Sequence, residues 1–347
     1  MTRFTPIVLF VVPCYNEEAV LDQSITTLLT ELELLSEAGL CALEGSGVLL
    51  VDDGSRDATW QLIDRWSHRD SRVSGLRLSR NKGHQAALLA GLAAVVDCAD
   101  ASISIDADLQ DDVSVCKEML SFYRRGYDIV YGVRANRSTD SRSKRFFANS
   151  FYSLMLLMGV EIMPGHADFR LMSRGSLAEL LRYKERSLFL RGMIPQVGYK
   201  TASVHYSRKI RESGVSKYPF RKSFSLAVDG VISLSYKPLR YIAYLGVLMA
   251  LVSCLGMIAI MSNYLLGGTI HGWTSLMVVI TVIGGVQLLA LGVIGEYLAR
   301  VYKEVKRRPL YHLQARTGSL FHAPSAGSGE GAWPHDDPPG PASHRLR

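Results

Sequence analysis

Residues 7–18 read Ile-Val-Leu-Phe-Val-Val-Pro-Cys-Tyr-Asn-Glu-Glu: six apolar residues in unbroken succession, then an abrupt polar turn. A strand covered on both faces has this continuous hydrophobicity, whereas a half-exposed strand alternates. The same design recurs at Gly47–Val51, which runs into Asp52-Asp53-Gly54-Ser55-Arg56-Asp57, and at Ser102–Ile105, which runs into Asp106-Ala107-Asp108-Leu109-Gln110-Asp111-Asp112. Two further runs, Val73–Leu78 and Asp128–Tyr131, complete a set of five. Helix-like stretches fall between them at Glu17–Leu35, Thr59–His68, Gln85–Val96 and Val115–Tyr123. Strands alternating with helices predict an α/β domain over residues 1–207, built on a mostly parallel sheet of Rossmann-like type.

The rest of the 347-residue chain is of another character. From Tyr241 to Ala299 there is no Lys or Arg and one acid, Glu296. That stretch holds two apolar runs, 241–264 and 273–298, each long enough as a helix to cross a hydrocarbon core of about 30 Å. The flanks 208–240 and 300–316 carry net charges of +6 and +5 against +7 for the whole chain, so the remainder is acidic. The basic excess therefore belongs to the membrane flanks and argues against a nucleic-acid partner. The connector 265–272 has no Lys or Arg, so the positive-inside rule predicts both flanks, both termini and the α/β domain in the cytoplasm. The expected order is a cytoplasmic domain (1–207), a basic juxtamembrane segment (208–240), a transmembrane hairpin (241–299), a basic segment (300–314) and a disordered tail (315–347) rich in Pro and Gly. Gly285 and Gly292, seven residues apart on one helix face, allow close helix approach, within the hairpin or between copies in a homo-oligomer. The five cysteines form no CxxC pair, which suits reduced thiols and excludes a zinc ribbon. Ile7–Val12 is too short for a leader and ends at Pro13.

Polar clusters at the carboxyl ends of strands are where open α/β sheets bind ligands. Taken singly, the acids and hydroxyls after each strand could simply cap the next helix; three in order are a site. Asp106 and Asp108, at i and i+2 on extended backbone, face one pocket. Two close carboxylates repel unless a cation joins them. A hard divalent ion, Mg²⁺ or Mn²⁺, resolves this and takes a substrate diphosphate as its remaining ligand. Gln110 stands a further two residues on and can supply an amide oxygen.

PCYNEE (13–18), VDDGSRDAT (51–59), RNKGHQAALLAGL (80–92) and DADLQDD (106–112), in that order, resemble the inverting family 2 glycosyltransferases. More narrowly, the chain is similar to the polyisoprenyl-phosphate glycosyltransferases, the group of dolichol-phosphate mannose synthase and the bactoprenol glucosyltransferases. Ala167–Met172 (ADFRLM), Phe189–Met193 (FLRGM), Arg211–Lys217 and Gly295–Tyr302 (GEYLARVY) continue the likeness, and the last pieces with the hairpin point to the bacterial glucosyltransferase-like branch. The resemblance implies a catalytic domain of GT-A type. It implies that Pro13, Tyr15, Asn16, Glu17, Val51, Asp53, Gly54, Ser55, Asp106 and Ala107 bind the nucleotide sugar. Asp106, Asp108 and Gln110 would hold the metal; Arg134, Arg211, Ser216 and Lys217 would meet phosphates, those of the acceptor included; Asp168 is the candidate catalytic carboxylate. His166 and Gln196 depart from the family pattern near the expected sugar pocket.

The implied reaction moves one sugar, from a nucleotide donor such as UDP-glucose, onto a polyisoprenyl phosphate at the bilayer, with inversion. A phosphate acceptor, with a second pKa near 6, is mostly ionised at pH 7 and needs no strong base. Asp168 is therefore expected to orient the acceptor or stabilise an oxocarbenium-like centre. Two alternatives are a processive polysaccharide synthase, which would need a QxxRW signature that Gln61–Trp66 does not spell, and a non-catalytic membrane-tethered protein that binds nucleotide sugars. A P-loop NTPase is excluded, since GxxxxGK[ST] is missing.

Overall fold

The structure, a computed structural model, describes residues 5–134, 166–185, 190–206, 235–266 and 272–321. Eight strands form one sheet: β1 (Ile7–Cys14), β2 (Ala42–Asp52), β3 (Val73–Leu78), β4 (Ala101–Ser104), β5 (Ile129–Arg134), β6 (His166–Ser173), β7 (Thr201–Tyr206) and β8 (Leu313–Thr317). Their order across the sheet is β7-β5-β6-β4-β1-β2-β3-β8. Parallel pairing joins β1 to β2 and β4, β2 to β3, and β5 to β7; only β6 and β8 run against their neighbours. The mostly parallel α/β architecture expected from the sequence is the one observed.

Six helices cover the sheet: α1 (Leu21–Glu37), α2 (Thr59–Arg69), α3 (His84–Val95), α4 (Cys116–Arg124), α5 (Arg174–Leu181) and α6 (Leu190–Gln196). Alternate residues of β1 feed two cores. Val8, Phe10 and Val12 pack with α1, α2 and α4 on one face; Leu9 and Val11 pack with α3, α5 and α6 on the other. Two-sided burial is why these strands carry no polar alternation. α1 begins at Leu21 rather than Glu17 because the residues before it are tied to the next strand's loop. There the Asn16 amide donates to Ser55 Oγ, the Glu17 amide to Thr59 Oγ1, and the Ala58 amide to Glu18 Oε2.

The apolar runs form α7 (Lys237–Leu265) and α8 (Trp273–Lys306), both long and apolar enough to cross a membrane, with their apolar windows unburied by the rest of the chain. α8 runs past the expected end at residue 298 and carries Arg300, Lys303 and Lys306 on its last turns. Among the described residues, a Cβ at Gly285 or Gly292 would meet nothing within 4 Å.

The sequence predicts disorder from residue 315, and here the structure differs. Leu313–Thr317 is β8, antiparallel to β3. Thr317 Oγ1 hydrogen-bonds Asp64 Oδ1 (2.9 Å) and Ser67 Oγ (2.6 Å) on α2, and Ser319 and Leu320 bond to Ser71 and Ser74. Gly318, at φ +97°, crosses where a side chain would strike Ser74. A short polar strand that closes a sheet edge carries no apolar signal of its own.

Candidate active site

β1 lies between β2 and β4, so the crossovers after β1 and after β4 diverge and open a crevice at the strands' carboxyl ends. Pro13, Tyr15, Asn16 and Glu17 leave β1 there, and Val51, Asp53, Gly54 and Ser55 end or follow β2. Tyr15 is exposed and Val51 buried. Asn16 adopts φ 55°, and its Oδ1 accepts the Arg56 amide. Asp53, 2% exposed, accepts the amides of Lys82 (2.7 Å) and Gly83 (2.8 Å) and so fixes the turn that starts α3. Burial, with help from the Asp52 charge, pushes its carboxyl above the ordinary range despite those two donors. Gly54 has φ +69°, and a Cβ there would lie 2.6 Å from the Arg80 carbonyl carbon. These residues therefore join the β1, β2 and β3 loops into one rigid rim.

The acidic triplet does not continue β4 as extended chain. The strand ends at Ser104, and Asp106–Leu109 makes a turn closed by the Leu109 amide on the Asp106 carbonyl (3.2 Å), with Leu109 at φ 42°. Ala107 is buried, and its carbonyl accepts Ser24 Oγ at 2.6 Å. Gln110 turns toward Asp108. Its Nε2 donates to Asp108 Oδ2 at 2.6 Å, so the amide braces that carboxylate through its nitrogen. Burial raises the Asp106 pKa, as do the charges of Asp168, Asp111 and Asp108, with His84 opposing them. Several carboxylates that resist one another in one cleft form a hard-oxygen site that favours a divalent cation. Among the described residues no three His, Cys, Asp or Glu side chains form a complete metal cage; two carboxylates plus substrate phosphates is a common alternative.

Asp168 stands near the start of β6, which runs antiparallel and so brings this end to the carboxyl ends of β4 and β5. Two arginines and a histidine surround it. Arg170 Nη2 reaches Oδ1 at 2.5 Å from a side chain only 1% exposed. Arg191 on α6 forks onto it through Nε (3.2 Å) and Nη2 (3.0 Å). His84 Nε2 lies 3.4 Å from Asp168 Oδ2 and 3.6 Å from Asp106 Oδ1. Burial works against ionisation of Asp168, but the His84 hydrogen bond and the two arginines outweigh it and hold the carboxyl well below its usual range. For His84, burial favours the neutral ring, yet the Asp168 hydrogen bond and both carboxylate charges carry its pKa above the ordinary value. Arg134 ends β5, held by Asp111 (3.1 Å) and near the Tyr206 hydroxyl. Arg211, Ser216 and Lys217 lie outside the described residues.

His84, Arg170 and Arg191 have no role in the sequence reading, although all three sit inside the quoted motifs. His84 opens a helix, Arg170 faces inward from a strand, and Arg191 precedes a glycine. The local pattern of each is unremarkable, and only the distant Asp168 makes sense of them.

The glycosyl transferase family 2 profile matches residues 9–181. The uncharacterized glycosyltransferase YkoT of Bacillus subtilis is 47% identical over 311 residues, 90% of this chain and 92% of that protein. The bactoprenol glucosyl transferase of Shigella phage SfV is 38% identical over 303 residues, 87% and 96% of the two chains. Among solved structures, the mannosyltransferase PcManGT of Pyrobaculum calidifontis in complex with GDP-Man and Mn²⁺ aligns with TM-score 0.42 and 16% identity, over 61% of this chain and 59% of that one. Sheet, crevice and sequence relationship together define a nucleotide-sugar-using transferase of α/β type. The chain belongs to glycosyl transferase family 2 and is a glycosyltransferase.

Proposed function

We propose that the protein transfers a single glucose or related sugar from a UDP-sugar to a polyisoprenyl phosphate, with inversion, on the cytoplasmic face of the inner membrane. The observation that carries this reading is the 87% coverage by a relative named bactoprenol glucosyl transferase. So little of the chain is left out that the match cannot omit both apolar helices, of 29 and 34 residues. Those helices, with basic flanks on the cytoplasmic side, would hold the cleft beside the leaflet that contains the lipid phosphate, replacing search in solution by capture at a surface.

The residues of the cleft suit the chemistry. Pro13, Tyr15, Asn16, Glu17, Val51, Asp53, Gly54 and Ser55 form the nucleotide side. Asp106 and Asp108, braced by Gln110, would hold Mg²⁺ or Mn²⁺, which when bound neutralises charge on the departing diphosphate. An oxygen of the acceptor phosphate forms a bond to the anomeric carbon from the face opposite the diphosphate, while the bond to the diphosphate oxygen breaks and UDP leaves. Asp168, kept ionised by Arg170, Arg191 and the His84 hydrogen bond, is a poor proton acceptor; it fixes the arginines and opposes the positive charge that develops on the sugar. Arg134, Arg211, Ser216 and Lys217 lower the cost of bringing an anionic acceptor to an anionic donor.

The test is reconstitution of the purified chain in vesicles with undecaprenyl phosphate and a panel of radiolabelled UDP- and GDP-sugars, followed by lipid extraction. One UDP-sugar should label the lipid, with the product's anomeric configuration opposite to the donor's. Label from no nucleotide sugar, or retained configuration, would refute the proposal.

A further inference from the structure

His84 and Arg191 are shared between Asp106 and Asp168, whereas Asp168 has a further partner of its own. Arg170, beneath it and fully buried, balances it alone. Arg191 is the more open of its two arginines, with its side chain 44% exposed. Its fork onto Asp168 uses Nε and Nη2. Among the described residues Nη1 makes no hydrogen bond. Nor is Arg191 needed to keep its helix in place: Leu190, Met193 and Ile194 are buried in the core, and the Leu190 amide donates to Gln85 Oε1.

Arg134 is arranged in the same manner. Asp111, 2% exposed, braces Nε and Nη2 from behind, and the Tyr206 hydroxyl steadies Nε. Both guanidiniums are partly open to solvent, the Arg134 side chain 33% and the Arg191 side chain 44% exposed. Two partly exposed arginines, each oriented by a carboxylate, can turn their remaining donors to an anion. Arginine suits phosphate in particular, since its planar donors match the oxygens. The acidic half of the cleft, Asp106 and Asp108, takes the donor diphosphate through a cation; the Asp168 half is the basic one.

We propose that Arg191 contacts substrate directly, and that with Arg134 it grips the phosphomonoester of the acceptor. This rests on the reading above that the acceptor is a polyisoprenyl phosphate. The pair pulls on the non-attacking oxygens and leaves the third free toward the sugar. Asp168 then acts through Arg191, setting where the phosphate sits.

The experiment measures calorimetric binding of farnesyl phosphate to the detergent-solubilised full chain without donor, for the wild type, Arg191→Gln and Arg191→Lys. Steady-state KM for acceptor and donor is measured on the same preparations. One charge-assisted contact corresponds to about 10- to 100-fold in affinity. Arg191→Gln should weaken farnesyl phosphate binding and raise the acceptor KM by about that factor, leave the donor KM unchanged, and keep the wild-type melting temperature. Arg191→Lys should recover part of the loss. Unchanged binding in Arg191→Gln, or a rise in donor KM alone, overturns the role of Arg191 while leaving the acceptor class intact. Failure of the wild type itself to bind farnesyl phosphate overturns the acceptor class, and this inference with it.

Discussion

Replacing Asp168 by Asn tests whether the cation cage is a structural joint as well as a catalytic one. The substitution keeps size and one hydrogen-bonding oxygen but removes the charge that Arg170 faces at 2.5 Å from a side chain 1% exposed. Breaking a buried pair at one end leaves a desolvated charge unpaired, at a cost of about 3–5 kcal/mol. For a folded unit of about 200 residues this lowers Tm by roughly 6–20 °C. Thermal unfolding of the detergent-solubilised chain, followed by tryptophan fluorescence, reads the change directly, since Trp60 and Trp66 lie on α2 of the same domain. Transfer should fall at least about 100-fold, as expected when a charge aimed at the transition state is lost. The double variant Asp168→Asn with Arg170→Met removes both charges, so it should regain most of the Tm and none of the activity. A Tm within 2 °C of wild type for Asp168→Asn, or activity returning with the double variant, would refute the cage.

Three further outcomes follow from the geometry. Because the Asp168 pKa is depressed, its stabilising contribution fades as pH falls from the unfolded value of about 3.9 through the folded value; because Asp168 also raises the His84 pKa, the Tm gap between wild type and Asp168→Asn should widen as pH falls from about 8 through the His84 titration and narrow below about 4. Asp108→Ala should abolish metal-stimulated transfer and weaken Mn²⁺ binding measured by electron paramagnetic resonance, with Tm little changed; wild-type Mn²⁺ affinity would remove Asp108 from the metal site. Asp53→Ala strands two amides that it now accepts, each worth about 1–3 kcal/mol, so hydrogen exchange should accelerate at Lys82 and Gly83, and unaltered protection there would show that another group holds this turn.

The inner strands were readable because burial on both faces writes itself locally: Val73–Leu78 is β3 to the residue, and Ile7–Val12 falls short of β1 by two. β6 was not read as a strand. Its sequence places Arg170 between Phe169 and Leu171, and a charge in that position signals exposure, whereas the fold buries it against Asp168. β7 and β8 are edge strands with polar residues, and their partners are far away in the chain. At the site, spacing at a strand end singled out Asp106 and Asp108, and the family resemblance singled out Asp168. It could not say how Gln110 turns its amide, nor that α3 and α6 deliver His84 and Arg191 to one carboxylate. Such pairings arise from topology, and sequence separations of 23 and 84 residues conceal them.

The two ends of the sheet have a joint consequence for how the enzyme would stand on a bilayer if the apolar helices span one as proposed. The chain leaves the domain from β7, the outermost strand on one side, passes through the apolar helices, and returns as β8, the outermost strand on the other. Eight strands at about 4.8 Å spacing put these attachments roughly 34 Å apart. A body hung from one tether can spin and nod, whereas one hung from two well-separated points keeps its heading. Where the apolar helices span a bilayer as proposed, two such attachments would keep the cleft on one bearing toward the lipid headgroups.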